Sequence, residues 1–253
     1  MPTLLLRLCG PMQAWGLGSR FSIRDTSLEP SKSGVMGILC AALGKPREER
    51  PDDGFPTLAQ LAELRMGVRV DREGSLARDY QTAGGGVWRN RAYGVFKASG
   101  KGGDTVLSTR YYLTGAHFLI GLEGGAALLL TLQEALRRPV WQLSLGRKSY
   151  VPAIPLYLPD TAPEGPGYRE LPLEAALASV PLGHPLDDTG KALAGEDRIR
   201  LILDAEGGDS ASQQQADVPL DFSGRRFALR QVRIEFLAAS VFPSRHSSKA
   251  GTQ

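Results

Sequence analysis

The chain has 253 residues, of which 42% are hydrophobic and 23% charged, with a formal net charge of +3 and a pI near 8.9. That is enough apolar material for a real core, which excludes a disordered chain, and too little excess charge to demand an anionic partner. Thirty glycines and seventeen prolines point to a loop-rich fold rather than a helical bundle.

Thr3 to Cys9 reads as a first strand, with Leu4, Leu6 and Leu8 on one face and Leu5 and Arg7 on the other. A polar loop runs from Gly10 to Pro30. Ser31 or Ser33 then caps a helix whose Val35, Ile38, Leu39, Ala42 and Leu43 recur at helical spacing, and Gly44 closes it. A second strand falls around Leu64 to Val70. From residue 72 to 112 the periodicity breaks: this stretch holds seven Lys/Arg against three Asp/Glu and six of the eighteen aromatics. Val87 to Ala98 and Thr105 to Leu113 are expected to pair as a long hairpin around the turn-type run 99–104.

Alternation resumes from Ala116 to Leu122 as a half-buried strand, and Ala126 to Arg138 reads as a helix stopped by Pro139. Val140 to Leu145 is expected as a short strand, left through the basic turn Gly146-Arg147-Lys148-Ser149-Tyr150. Strand, helix, strand, insertion, strand, helix, strand is the ferredoxin-like order of RNA-recognition domains. The expectation is therefore an α+β protein: a ferredoxin-like domain over 1–158, with the insertion at 72–112, then a smaller β-rich domain over 159–242. That second domain carries strands at Asp197 to Leu203 and Arg226 to Phe236, separated by a glutamine-bearing loop at 213–215. Residues 243–253 are expected to be a disordered tail.

Cys9 and Cys40 lie far apart, and His117, His184 and His246 are scattered, so no usual zinc spacing arises and no cofactor is expected. The amino-terminal apolar run is too short for a signal peptide and the longest apolar stretch, 126–132, too short for a bilayer. The expected setting is cytoplasmic, with no membrane partner and the thiols reduced.

The turn Pro30-Ser31-Lys32-Ser33-Gly34 opens a helix with free backbone N–H groups, hydroxyls and an ammonium, which is an anion site in principle. Simple N-capping is the competing account, and Lys32 is the residue that capping leaves unexplained. The upstream loop, with Met12, Gln13 and Trp15 followed by Ser19, Arg20, Phe21 and Arg24, interleaves cations with flat side chains. That mixture suits single-stranded RNA, although each aromatic taken singly is more at home in a core. Arg78 and Arg110 in the insertion, and Arg147, Lys148 and Ser149 in the later turn, extend the basic theme. For catalysis the inventory is thin: His117, Tyr111 and Lys148 form the one trio that could serve a metal-independent ribonuclease.

Met12-Gln-Ala-Trp-Gly16, Ser19 to Asp25 and Glu29-Pro-Ser-Lys-Ser-Gly-Val-Met-Gly37 closely resemble the CasD family of the type I-E CRISPR Cascade complex. The resemblance resumes at Thr109 to Leu113, Phe118 to Gly124 and Leu145 to Ser149, and covers residues 3 to 155 in blocks. It departs at Gly115, near which the family carries an acidic residue, and at Tyr150, where a smaller one is usual. The resemblance implies a non-catalytic subunit that holds the 5′ handle of the CRISPR RNA and caps a backbone of CasC subunits. It further implies a thumb-like hairpin at 72–112, contact with the large subunit CasA, and only indirect engagement of target DNA. By position, the handle would be met by the loop from Met12 to Arg24, the turn Ser31 to Gly34 and the turn Arg147 to Ser149, with sequence read by base pairing rather than by protein.

Overall fold

The computed structural model describes residues 1–18, 22–50, 53–85, 87–88, 91–92, 105–161, 164–182, 198–205 and 211–243. The expected tail and the residues Ser19, Arg20 and Phe21 lie outside them. In chain order the elements are β1 (Thr3–Cys9), β2 (Met12–Gln13), β3 (Ile23–Arg24), α1 (Lys32–Leu43), α2 (Leu58–Glu63), β4 (Arg65–Arg72) and β5 (Ser75–Ala83). There follow β6 (Val87–Trp88), β7 (Arg91–Ala92), β8 (Val106–Thr114), β9 (His117–Glu123), α3 (Ala126–Arg137) and β10 (Tyr168–Arg169). The chain continues with α4 (Leu173–Ala178), β11 (Arg198–Asp204), β12 (Gln213–Asp221) and β13 (Arg226–Ala238). No helix among the described residues is long and apolar enough to cross a membrane.

The protein is a mixed α+β fold dominated by an antiparallel sheet of seven strands in the order β10-β1-β9-β4-β11-β13-β12. All seven residues of β1 are buried, because helices cover both faces of the sheet. Leu4, Leu6 and Leu8 pack with Val35, Met36 and Leu39 of α1 and with Leu129, Leu132 and Leu136 of α3. Leu5 faces the other way, into a second cluster with Leu119, Leu173, Leu177, Leu201 and Leu203. Burying each such leucine contributes about 2 kcal/mol, so the alternation in β1 serves two cores at once.

Three expectations are corrected. No strand forms over Val140 to Leu145; Val140 and Trp141 instead donate to the last carbonyls of α1, Ala42 and Ala41. The edge beside β1 goes to β10, which pairs Thr3 with Arg169 and Leu4 with Tyr168. The strands after residue 159 extend the same sheet, since β11 pairs directly with β4 from Arg200↔Val70 to Leu203↔Gly67. The glutamine-bearing stretch is likewise strand β12 rather than a loop.

Within the insertion the second expected arm stands as β8, but its partner is β5. β5 pairs with β8 from Ser75↔Thr114 to Ala83↔Val106, and the expected arm at 87–98 lies, apart from Val87–Trp88 and Arg91–Ala92, outside the described residues. β2 and β3 join the far edge of β8, giving a second, four-stranded sheet. The miss has a plain cause: β5 (Ser-Leu-Ala-Arg-Asp-Tyr-Gln-Thr-Ala) is exposed or half-buried throughout, so it carries no apolar alternation to detect.

Candidate nucleic-acid interface

Helix α1 begins where the sequence places it, with Ser31 as N-cap accepting from the Gly34 N–H at 3.2 Å, and ends at Gly44 in the left-handed conformation (φ 74°). Its positive end does attract an anion, and the anion is the chain's own. Asp217 of β12, fully buried, accepts from the Lys32 backbone N–H at 2.7 Å. Lys32 is only 5% exposed, and its ammonium meets Asp204 of β11 at 3.0 Å. Arg230 of β13 completes the cluster. It forks onto Asp217 at 2.6 and 2.9 Å and also bonds Asp204 and Gln215. Two cations and two carboxylates thus neutralise one another out of water. Lys32, the surplus residue of the sequence reading, is explained by Asp204.

The neighbouring motif residues are equally internal. Gln13 is fully buried, donates to the carbonyls of Leu8 and Ala116 at 3.2 and 2.8 Å, and accepts from the Trp15 indole N–H. Trp15 is buried against the first turn of α1, where a Cβ on residue 34 would stand 2.9 Å from its ring. Glycine at 34 is therefore what lets the indole in. Met12 is half-buried and pairs with Thr114 of β8. These residues assemble the site's scaffold, and the expectation that Trp15 stacks on a base is corrected.

A different set stays in contact with solvent. Arg24 on β3 and Asp79 on β5 flank Arg110 on β8, one to each side, so all three project from one face of the small sheet. Tyr112, two residues on, shares that face; its ring centroid lies 5.8 Å from that of Tyr150, which is buried beneath it in the core. The Arg147 guanidinium stacks over Tyr150 at 5.4 Å, bonds its hydroxyl at 2.8 Å, and donates to the Arg24 carbonyl at 3.2 Å. The expected cations Arg24, Arg110 and Arg147 are thereby brought into one band, with exposed Lys148 and Ser149 beside it. On the opposite face of the hairpin, Arg78 lies across from Tyr111 and next to Tyr80, which is 69% exposed. Among the described residues no carboxylate forms an ion pair with Arg24, Arg78, Arg110, Arg147 or Lys148.

The sequence reading missed Tyr112 and Tyr80 as members of these surfaces. Their signal was alternation against β5 and β8, visible only once the hairpin register is known. Asp79 accepts the Tyr112 hydroxyl at 3.1 Å, and that hydrogen bond, followed by partial burial, holds the phenol above its ordinary pKa. His117, by contrast, is buried at 2% exposure with Nδ1 3.9 Å from Asp71, away from any surface that a phosphodiester could reach.

A family model described as CRISPR-associated protein (Cas_Cas5) matches residues 3–233. The chain is 33% identical over 166 residues to the CRISPR system Cascade subunit CasD of Escherichia coli (strain K12), covering 61% of this chain and 69% of that one. A solved crystal structure of a Cas protein superposes with a TM-score of 0.68 at 42% identity, covering 96% of this chain and 98% of its own. A chain of a CRISPR RNA-guided surveillance complex superposes with a TM-score of 0.70 at 31% identity, covering 97% and 95%.

Proposed function

The chain belongs to the Cas5 family of CRISPR-associated proteins and resembles its CasD members, and from that premise we propose that it is a subunit of a CRISPR RNA-guided surveillance complex that grips RNA without cutting it. The observation that carries the reading is the band of Arg24, Arg110 and Arg147, flanked by Tyr112 and unpaired with carboxylates among the described residues. Guanidinium groups bind phosphate bidentately and Tyr112 offers a ring beside them, so such a band suits an RNA backbone.

The 5′ handle of the CRISPR RNA is the segment we assign to it, with Arg24, Arg110, Arg147, Lys148 and Ser149 as contacts. Lys32 drops out of that set because its charge is spent internally. The core of β1, α1, β4, β9 and α3 serves as the ferredoxin-like unit, and the β5–β8 hairpin as the thumb, offering Arg78 and Tyr80. Capping of CasC subunits and contact with CasA rest on the likeness to CasD, and target DNA is engaged only through the guide.

The test is labelled CRISPR repeat RNA, in EDTA, across a salt series, with the chain alone and assembled. Binding without cleavage is expected, with log K falling as salt rises and the slope becoming shallower by about 0.7 for Arg110→Ala or Arg147→Ala. Cleavage would replace this reading with the ribonuclease, whose His117 would then have to become accessible. Absence of binding in both preparations would leave a protein-only scaffold.

A further inference from the structure

Arg200 occupies a junction that the RNA band does not use. It lies on β11, with its side chain 14% exposed, and its guanidinium spans two separate pieces of chain. Nε and Nη2 fork onto the Glu73 carboxylate at 3.0 and 2.7 Å, while Nη1 reaches Glu29 at 3.0 Å. Glu73 sits between β4 and β5, at the root of the hairpin that carries Arg78, Tyr80 and Arg110. Glu29 ends the loop that leads from Arg24 into α1, and its other oxygen accepts from Gln215 of β12 at 3.4 Å. The two anions that Arg200 holds thus terminate two of the three segments that supply the RNA-facing cations. Pairing of β3 with β8 joins those segments in one small sheet, and Arg200, which lies on the main sheet, holds both of their roots to β11.

We propose that Arg200 is a positioning residue, which ties the root of the hairpin and the root of the Arg24 loop to β11, so that the small sheet bearing Arg24 and Arg110 is held in a fixed place on the main sheet. This rests on the RNA-binding reading above. The planar fork is what the arrangement requires: three N–H groups aimed at two carboxylates in a fixed geometry, which an ammonium cannot reproduce. Both carboxylates also raise the guanidinium pKa, Glu73 by the larger effect.

The experiment is RNA binding by the full chain in the assembled complex, for Glu73→Gln, Arg200→Ala and Arg200→Lys, with thermal unfolding in parallel. Glu73→Gln is decisive because the two accounts of it differ in sign. If Glu73 acted on RNA through its charge alone, removing a negative group would tighten binding. Positioning instead predicts binding weaker by about tenfold, with the unfolding midpoint nearly unchanged since Glu73 is largely exposed. Arg200→Ala should weaken binding at least as much, and Arg200→Lys should recover only part of it. Tighter or unchanged binding in Glu73→Gln overturns the proposal. Failure of the unaltered protein to bind RNA would sink the RNA reading itself. The clamp is then judged by amide hydrogen exchange, where faster exchange in both β3 and the first pairs of β5 supports it and unchanged exchange removes it.

Discussion

The turn at Ser31–Gly34 and the turn at Arg147–Ser149 are built from the same residue types, and they end in opposite environments. At the first, strands β11 and β12 deliver Asp204 and Asp217 from 172 and 185 residues away, so lysine and helix dipole are neutralised in the interior. At the second, what arrives is a tyrosine ring and a backbone carbonyl, and the guanidinium keeps its charge for an outside partner. A cation near a turn is thus a structural bolt or a ligand contact according to whether a carboxylate reaches it. Proximity in sequence says nothing of that.

The sharpest way to break this contrast is Arg230→Ala, which strands Asp217 and Asp204 against the first turn of α1. It should cost about 3–5 kcal/mol in denaturant unfolding. A loss below 1 kcal/mol would mean that the cluster is not a bolt at all. Gly34→Ala presses a methyl onto Trp15 and should cost about 1–3 kcal/mol by the same measurement, unless the indole can yield.

Lys32→Met and Arg147→Ala test the two turns against each other. The first should lower stability by about 1–3 kcal/mol and leave the salt slope of RNA binding unchanged. The second should leave stability within about 0.5 kcal/mol and make the slope shallower. Exchange of those two outcomes would reverse the assignment of the turns.

The smallest effect concerns pH. Because Asp79 raises the Tyr112 pKa, the contribution of that hydrogen bond is present below the phenol's ordinary value of 10.0 and is lost as pH rises through the folded value. Tyrosinate absorbance should therefore show Tyr112 titrating at lower pH in Asp79→Asn than in the unaltered protein. Coincident titrations would show that Asp79 does not govern the phenol.

Much of the fold was legible because local chemistry sufficed. The cap at Ser31, the stop at Gly44, the leucine alternation of β1 and the helical spacing of α3 each act within a few residues, and each element stands within two residues of its expected bounds. The hairpin arm β5 was not legible, since a strand solvated on both faces has no period-two apolar pattern. Nor was the edge place taken by β10, two residues long and held by the register of β1.

The candidate site divides along the same line. Residue types alone marked Arg24, Arg110 and Arg147 as cations with aromatics nearby, and the motif blocks identified the family. Only the tertiary structure decided that these three meet, that Trp15 is core and that Lys32 is paired. The reason is physical: the energy of a charge depends on its distance to the opposite charge and on exclusion of water, and both are properties of contacts between residues more than a hundred positions apart.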